Sequence, residues 1–156
     1  MSLSSRLSPQ SRGSSPLELN INVLNREDEL AKEVERILSM SFQQAGSFIA
    51  NTSVTAYRRV HEIVTSALDR LIGSVEQDPA ILVDLSKALI LIKYQVVRNQ
   101  ISGTLANYVG NVIKSVIDVV RTNWEEAKRI ARNARTLLDA LVVLVQDYSK
   151  HHREKE

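Results

Sequence analysis

The 156-residue chain has three histidines and no cysteine, so the chemistry it could perform alone is narrow. Without a thiol there is no disulfide, no zinc–thiolate site and no cysteine nucleophile. A helical bundle can hold a di-metal site when Glu-x-x-His pairs project inward. Here Arg58, not a glutamate, stands three positions before His61, and the other two histidines are adjacent at the C-terminal end. Glu62, Asp69 and Asp118 are isolated, none placed with a partner carboxylate on an apolar face. There is no Gly-rich phosphate loop and no Ser/His/Asp set. No catalytic residue, metal site or cofactor site is expected. His61 borders an apolar face and reads as a packing residue rather than a base. These absences point to a binding or structural module and not to an enzyme.

What remains for function is cationic side chains. Twenty basic and 18 acidic residues give a net charge of +2, but residues 56–135 carry 12 basic and 8 acidic, with a slight acidic excess on either side. At about 100° per residue, Lys87, Tyr94 and Arg98 fall on one strip, with Leu91 beside it. Arg59 and Arg70, eleven residues apart, share the outer face of another helix, and Lys128, Arg129, Arg132 and Arg135 cluster on a third. Two readings stay open for each strip. It is a solvated edge with snorkelling stems, or it meets a polyanion such as a nucleic-acid backbone. For Arg58 the plainer reading is a surface ion pair with Glu62, four residues on. For the third strip the choices are RNA, a neighbouring subunit or solvent. Tyr94 and Trp124 are the only candidates for stacking on a base.

The elements that must position these residues are helices. Aromatic residues make up only 4% of the chain, which has three prolines and five glycines, and its β-branched residues lie in helix-periodic runs. The pattern predicts an all-α, single-domain bundle of about five helices. The first spans about 26–44, capped by Asn25 and stopping near Gly46. The second, 54–72, is capped by Thr52 or Ser53, turns Tyr57, Val60, Val64, Ala67, Leu68 and Leu71 inward, and ends at Gly73. Asp78-Pro79 opens the third, 79–101, whose apolar residues cover most of its circumference. That breadth predicts the most buried helix of the bundle. The fourth is 104–121, after a turn at Gly103. Asn123 and Glu126 form a capping-box signature for the last, 124–149. Its L-V-V-L-V run at 141–145 is apolar all round and must be enclosed by the bundle or by another protein.

At the ends, residues 1–20 hold seven serines, two prolines and a glycine, the composition of a disordered tail. The apolar patch Leu17, Leu19, Ile21, Val23 and Leu24 is expected to lie on the bundle as an extended segment. The folded domain is expected over 21–149, with a frayed tail at 150–156. No 18-residue uncharged apolar run and no signal-peptide region appear, so a soluble, cytoplasmic protein without membrane contact is expected.

Three stretches resemble the small, all-helical subunit of type III (Csm-type) CRISPR–Cas effector complexes. T-S-V-T-A-Y-R-R-V-H at 52–61 is similar to the family's Thr-rich cap and basic pair, with Arg58 and Arg59 in that pair. I-L-I-K-Y-Q-V-V-R-N at 90–99 matches the family's central helix at Tyr94 and Arg98, with Lys93 close to its lysine. L-L-D-A-L-V at 137–142 is similar to its terminal pattern, with leucines in place of aromatics. The resemblance implies a non-catalytic subunit, stacked in several copies along a filament of backbone subunits beside the large subunit. It implies contact with guide and target RNA without sequence specificity, and no small-molecule substrate. Taken with the strips, the RNA contacts expected are Arg58, Arg59, Arg70, Lys87, Lys93 and Arg98. The competing reading is a helical protein–protein adaptor that binds no nucleic acid.

Overall fold

The computed structural model describes residues 18–20 and 22–155, and the expectation for residues 1–17 lies outside it. Among the described residues there are seven helices and no strand: α1 (Asn22–Asn25), α2 (Glu27–Leu38), α3 (Phe42–Ile49), α4 (Val54–Gly73), α5 (Ala80–Val97), α6 (Gly103–Thr122) and α7 (Trp124–Lys155). The all-α class holds, and the helix count rises from five to seven for local reasons.

The expected first helix is cut at Ser39–Ser41. Ser39 Oγ donates to the Glu35 carbonyl at 2.7 Å, satisfying an acceptor at the end of α2. Ser41 then opens α3 with a complete capping box. Its Oγ accepts from Gln44 N at 3.1 Å, and Gln44 Oε1 accepts from Ser41 N at 3.1 Å. Two reciprocal bonds at S-x-x-Q start a new helix where apolar periodicity ran on. Gly46 therefore ends nothing. It sits inside α3, where an added Cβ would stand 3.2 Å from the Tyr148 hydroxyl. The helix stops instead at Ala50, at φ 49°.

The segment expected to lie extended at 17–24 winds at Asn22–Asn25 into α1, which buries Val23 and Leu24. Asn25 belongs to that helix, so Arg26 takes the N-cap position of α2 without a side-chain bond. Leu19 packs against the core, and Asn20 Oδ1 accepts from Asn22 N at 2.9 Å.

The helix that organises the bundle is α7, which packs against α4, α6, α2, α3 and α1. Ala127, Ala131 and Ala134 lie fully buried on it, and their small side chains let several neighbours approach one helix closely. Ile130, Leu137, Leu138, Leu141 and Val145 fill the remaining core positions. The L-V-V-L-V run is enclosed by the protein's own bundle, with Val143 alone exposed. Asn123 caps α7 as expected, accepting from Glu126 N at 3.1 Å, while the Glu126 carboxylate reaches forward to Arg129. The helix continues to Lys155 instead of ending near 149.

The central helix is where expectation and structure part. α5 is the outermost long helix, because it has neighbours, α4 and α6, on one side only. Ile81, Leu85, Ala88 and Ile92 are buried there, whereas Val83, Ile90 and Val97 are 54%, 68% and 70% exposed. Apolar composition all round a helix reports what it could bury, and the number of packed neighbours decides what it does bury. Asp78 does help to open it, its Oδ1 accepting from Ala80 N at 3.0 Å.

Candidate nucleic-acid interface

The residues that matter for binding meet where α5 ends and α4 begins. α5 closes in a Schellman turn: Gln100 N donates to the Gln95 carbonyl at 2.8 Å and Asn99 N to the Val96 carbonyl at 2.9 Å. Asn99 takes φ 59° to make it, a left-handed conformation that asparagine tolerates better than most residues. The turn is then tied to α4. Ser53 N donates to the Gln100 carbonyl at 2.7 Å, while Ser53 Oγ caps α4 by accepting from Ala56 N at 3.2 Å. Thr52 Oγ1 donates to the Ile49 carbonyl at 2.6 Å and accepts from Ser102 N at 2.9 Å. Ser102 and Thr104 hydroxyls both donate to the Phe48 carbonyl at 2.7 Å. Two loops about fifty residues apart in sequence are thus clasped by short hydrogen bonds, and Arg98 is fixed beside the first turn of α4.

The result is a cleft of about 450 Å³ whose wall includes Thr55, Arg59, Tyr94, Gln95, Arg98 and Gln100. The Arg98 guanidinium lies 5.4 Å from the Tyr94 ring centroid, within the range of a cation–π contact. A smaller depression lined by Thr55, Arg58, Arg59 and Glu62 shares part of that wall. Among the described residues, Arg58, Arg59 and Arg98 make no ion pair, and the pair expected between Arg58 and Glu62 is absent. Three cations without acidic partners therefore surround a helix N-terminus, where free N–H groups and the helix dipole add positive potential.

The other expected RNA contacts go elsewhere. Arg70 is bonded to Asp84, across the seam between α4 and α5, and shares a depression of about 300 Å³ with Lys87. Lys93 lines a separate groove of about 280 Å³ between α5 and α6, together with Asn107, Asn111 and Lys114. Lys114 was not singled out by sequence reasoning, since it belongs to no strip on its own helix. Of the stacking candidates, Trp124 is buried and Tyr94 is more than half exposed.

The strip on α7 is mostly bound to its own protein. Lys128 Nζ donates to the Ser74 carbonyl at 2.7 Å. Arg129 bonds Glu126 at 2.6 Å, Glu27 at 2.9 Å and the Asn25 carbonyl at 3.1 Å. Arg135 bonds Asp139 at 2.6 Å and Asp69 at 3.0 Å. The hydrogen bond from Arg129 holds the Glu126 carboxyl below its ordinary value, and Glu126 in turn favours the charged form of Arg129. Of the four, Lys128 and Arg132 have no ion pair among the described residues.

Gln95 is the cleft residue that sequence reasoning passed over. It is 7% exposed, and its Oε1 accepts no hydrogen bond. The available signal was positional: Gln95 continues the buried series Leu85, Ala88 and Ile92, where a polar side chain needs a reason. Among the described residues, no group of three His, Asp or Glu side chains could share a metal ion, and no helix is long and apolar enough to cross a membrane. No family model, curated protein or solved structure matches this chain.

Proposed function

We propose that this chain is a non-catalytic RNA-binding subunit that holds a sugar–phosphate backbone through Arg58, Arg59 and Arg98. One observation carries the reading. Arg58, Arg59 and Arg98, on the stretches resembling the type III effector small subunit, stand without ion-pair partners around the α4 N-terminus, while Arg70, Arg129 and Arg135 are neutralised within the protein. In the resembling complexes such a subunit stacks in copies along the backbone filament, beside the large subunit, and helps line the channel for guide and target RNA. Those partners and a cytoplasmic location belong to the proposal. Contacts to phosphate carry no sequence information, so the protein binds unrelated sequences alike.

Gel shifts of two unrelated single-stranded RNAs at two salt concentrations test it. Affinity should fall with salt, and Arg98→Ala should weaken both RNAs about equally. The slope of log affinity against log salt should shrink by about 0.7 for the lost contact, with little change in folding. Intact RNA affinity in an Arg98→Ala protein that has lost its fold would make the strip structural.

A second reading, a protein–protein adaptor, draws on the exposed apolar side chains Val83, Ile90 and Val97, spaced seven residues apart on α5. Ile90→Asp separates the two. An adaptor loses its partner with no RNA affinity to lose, whereas the RNA-binding protein keeps its gel shift.

A further inference from the structure

We infer that two copies of this chain pair through the outer face of α5, the two helices antiparallel, in a closed dimer. The inference goes beyond the RNA-binding reading and does not rest on it.

Six residues define the face. Ala80, Val83, Lys87, Ile90, Tyr94 and Val97 follow one another at alternating spacings of three and four. They therefore form one seam, within an arc of about 100°, of the kind that pairs helices. All six are exposed. Ile81, Leu85, Ala88 and Ile92 lie buried on the other side of the helix, where α4 and α6 pack. An apolar seam running the whole length of a helix and left in water marks a contact surface.

Two properties select a second copy as its cover. The first is shape. Antiparallel pairing of the seam with itself aligns Ala80 with Val97, Val83 with Tyr94 and Lys87 with Ile90 of the partner copy. The first two layers set a smaller side chain against a larger one. In the third, the Lys87 stem lies along Ile90 while its ammonium reaches past the seam to water. The second property is charge. Glu76 and Asp78 stand exposed just before α5, and Lys93 and Arg98 stand exposed at its C-terminal end. None of these four makes an ion pair among the described residues. Antiparallel pairing brings the acidic end of each helix to the basic end of the other, twice over by symmetry, and it opposes the helix dipoles. Parallel pairing would set like charge on like.

The seam is about 27 Å long, and covering it in both copies removes on the order of 1,000 Å² from water, the lower limit for a specific interface. Lys87 lowers the stability further, as a lysine in such a seam does. The pair is therefore weak and forms in the micromolar range. It is also closed, because an isologous contact ends with two copies, unlike stacking along a filament. Tyr94 and Arg98 lie at this contact and at the cleft, so a second copy and RNA exclude each other there, and the form open to RNA is the monomer.

Sedimentation velocity of the full chain without RNA, across the micromolar range, tests the pairing. It should show a monomer–dimer equilibrium and nothing larger. Ile90→Asp should stay monomeric throughout with Tm near wild type, because the side chain it replaces is mostly exposed. Lys87→Leu should tighten the pair about tenfold. Because the chain has no cysteine, disulfides report the orientation. Ala80→Cys protein mixed with Val97→Cys protein should form a mixed disulfide under mild oxidation. Val97→Cys alone should not link to itself, since antiparallel pairing holds the two positions about 25 Å apart, and self-linking would overturn that arrangement. Wild-type protein that is monomeric at every concentration would overturn the inference and leave the face to a foreign protein. Species larger than a dimer, or a folded Ile90→Asp that still pairs, would overturn it as well. Failure of the RNA gel shifts would leave these measurements untouched.

Discussion

Two groups of arginines in this protein share a residue type, yet have opposite surroundings. On α7, Arg129 and Arg135 sit among Glu27, Glu126, Asp69 and Asp139, and each bridges α7 to another helix. At the α4–α5 junction, Arg58, Arg59 and Arg98 have no acidic partner among the described residues, and the helix N-terminus beside them adds positive potential. The first group spends its charge on the fold. The second leaves its charge for something outside the chain. A basic strip thus acquires a function only through what the neighbouring elements place against it, and this information is tertiary.

The largest effect separating the two groups should come from Arg59→Ala combined with Arg98→Ala. If each arginine makes a charge-assisted hydrogen bond to phosphate, each loss costs about tenfold or more in RNA affinity, while Tm stays near wild type. Arg129→Ala combined with Arg135→Ala should do the reverse, lowering Tm and sparing affinity. Equal losses of affinity from both pairs would erase the distinction drawn above.

A second, smaller effect extends the comparison to Arg36. Arg36 bonds both oxygens of Glu33, at 3.0 and 3.1 Å, and the buried Tyr108 hydroxyl donates to the same carboxylate at 2.5 Å. Burial and the bond to Glu33 push the Tyr108 hydroxyl well above its ordinary value, so it remains a donor at any ordinary pH. Tyr108→Phe should destabilise the fold by about 1–3 kcal/mol in chemical denaturation, because it strips a partner from a buried carboxylate. A change below about 0.5 kcal/mol would show that Arg36 alone satisfies Glu33.

Much of this architecture was legible before the structure. The inner face of α4 is buried as its periodicity requires, and Ser53 and Asn123 cap the helices expected of them. These features are local, set by side chains within a turn of each other. The failures are of other kinds. The capping box at Ser41 was readable but was overridden by an apolar period that continued through it. The outward face of α5 was not readable, because the sequence shows how much apolar surface a helix has and not how many helices will cover it. The cleft divides the same way. Arg59, Tyr94 and Arg98 stood out by type and spacing, and Arg58 through the resemblance at 52–61. Their assembly depends on Ser53, Thr52 and Ser102 joining segments about fifty residues apart, and no single stretch encodes that.

A third effect probes one arginine of the structural group alone. Arg129 ties α7 to Glu27 and to the Asn25 carbonyl at the α1–α2 junction. Arg129→Ala should lower Tm by about 2–4 °C, the shift that about 1 kcal/mol produces in a chain of this size. Native-state hydrogen exchange should localise the change to α1 and α2. Protection lost uniformly across the bundle would mean that the arginine acts on the whole fold and not on that junction.

The smallest effect concerns His61, which joins the Arg135 network from α4. Its Nε2 lies 3.4 Å from Asp139, yet the imidazole pKa is lowered. Burial is the largest cause, with the side chain only 15% exposed, and Arg135 adds repulsion. Asp139 and Glu62 pull the other way and lose, since Asp139 is half exposed and already bonded to Arg135. The folded state therefore disfavours the imidazolium, while in the unfolded chain the histidine titrates at about 6.5. Below that pH the unfolded state binds the extra proton first, so stability is full above about 6.5 and declines as pH falls toward the lowered folded value. Tm measured at pH 7.5 and 5.5 should drop further for wild type than for His61→Gln, which cannot titrate. Asp139→Asn should widen the drop, because it removes the main group favouring the charged ring. Identical pH dependence in wild type and His61→Gln would show that the imidazole charges as readily in the bundle as in the unfolded chain, and would detach it from the paired group on α7.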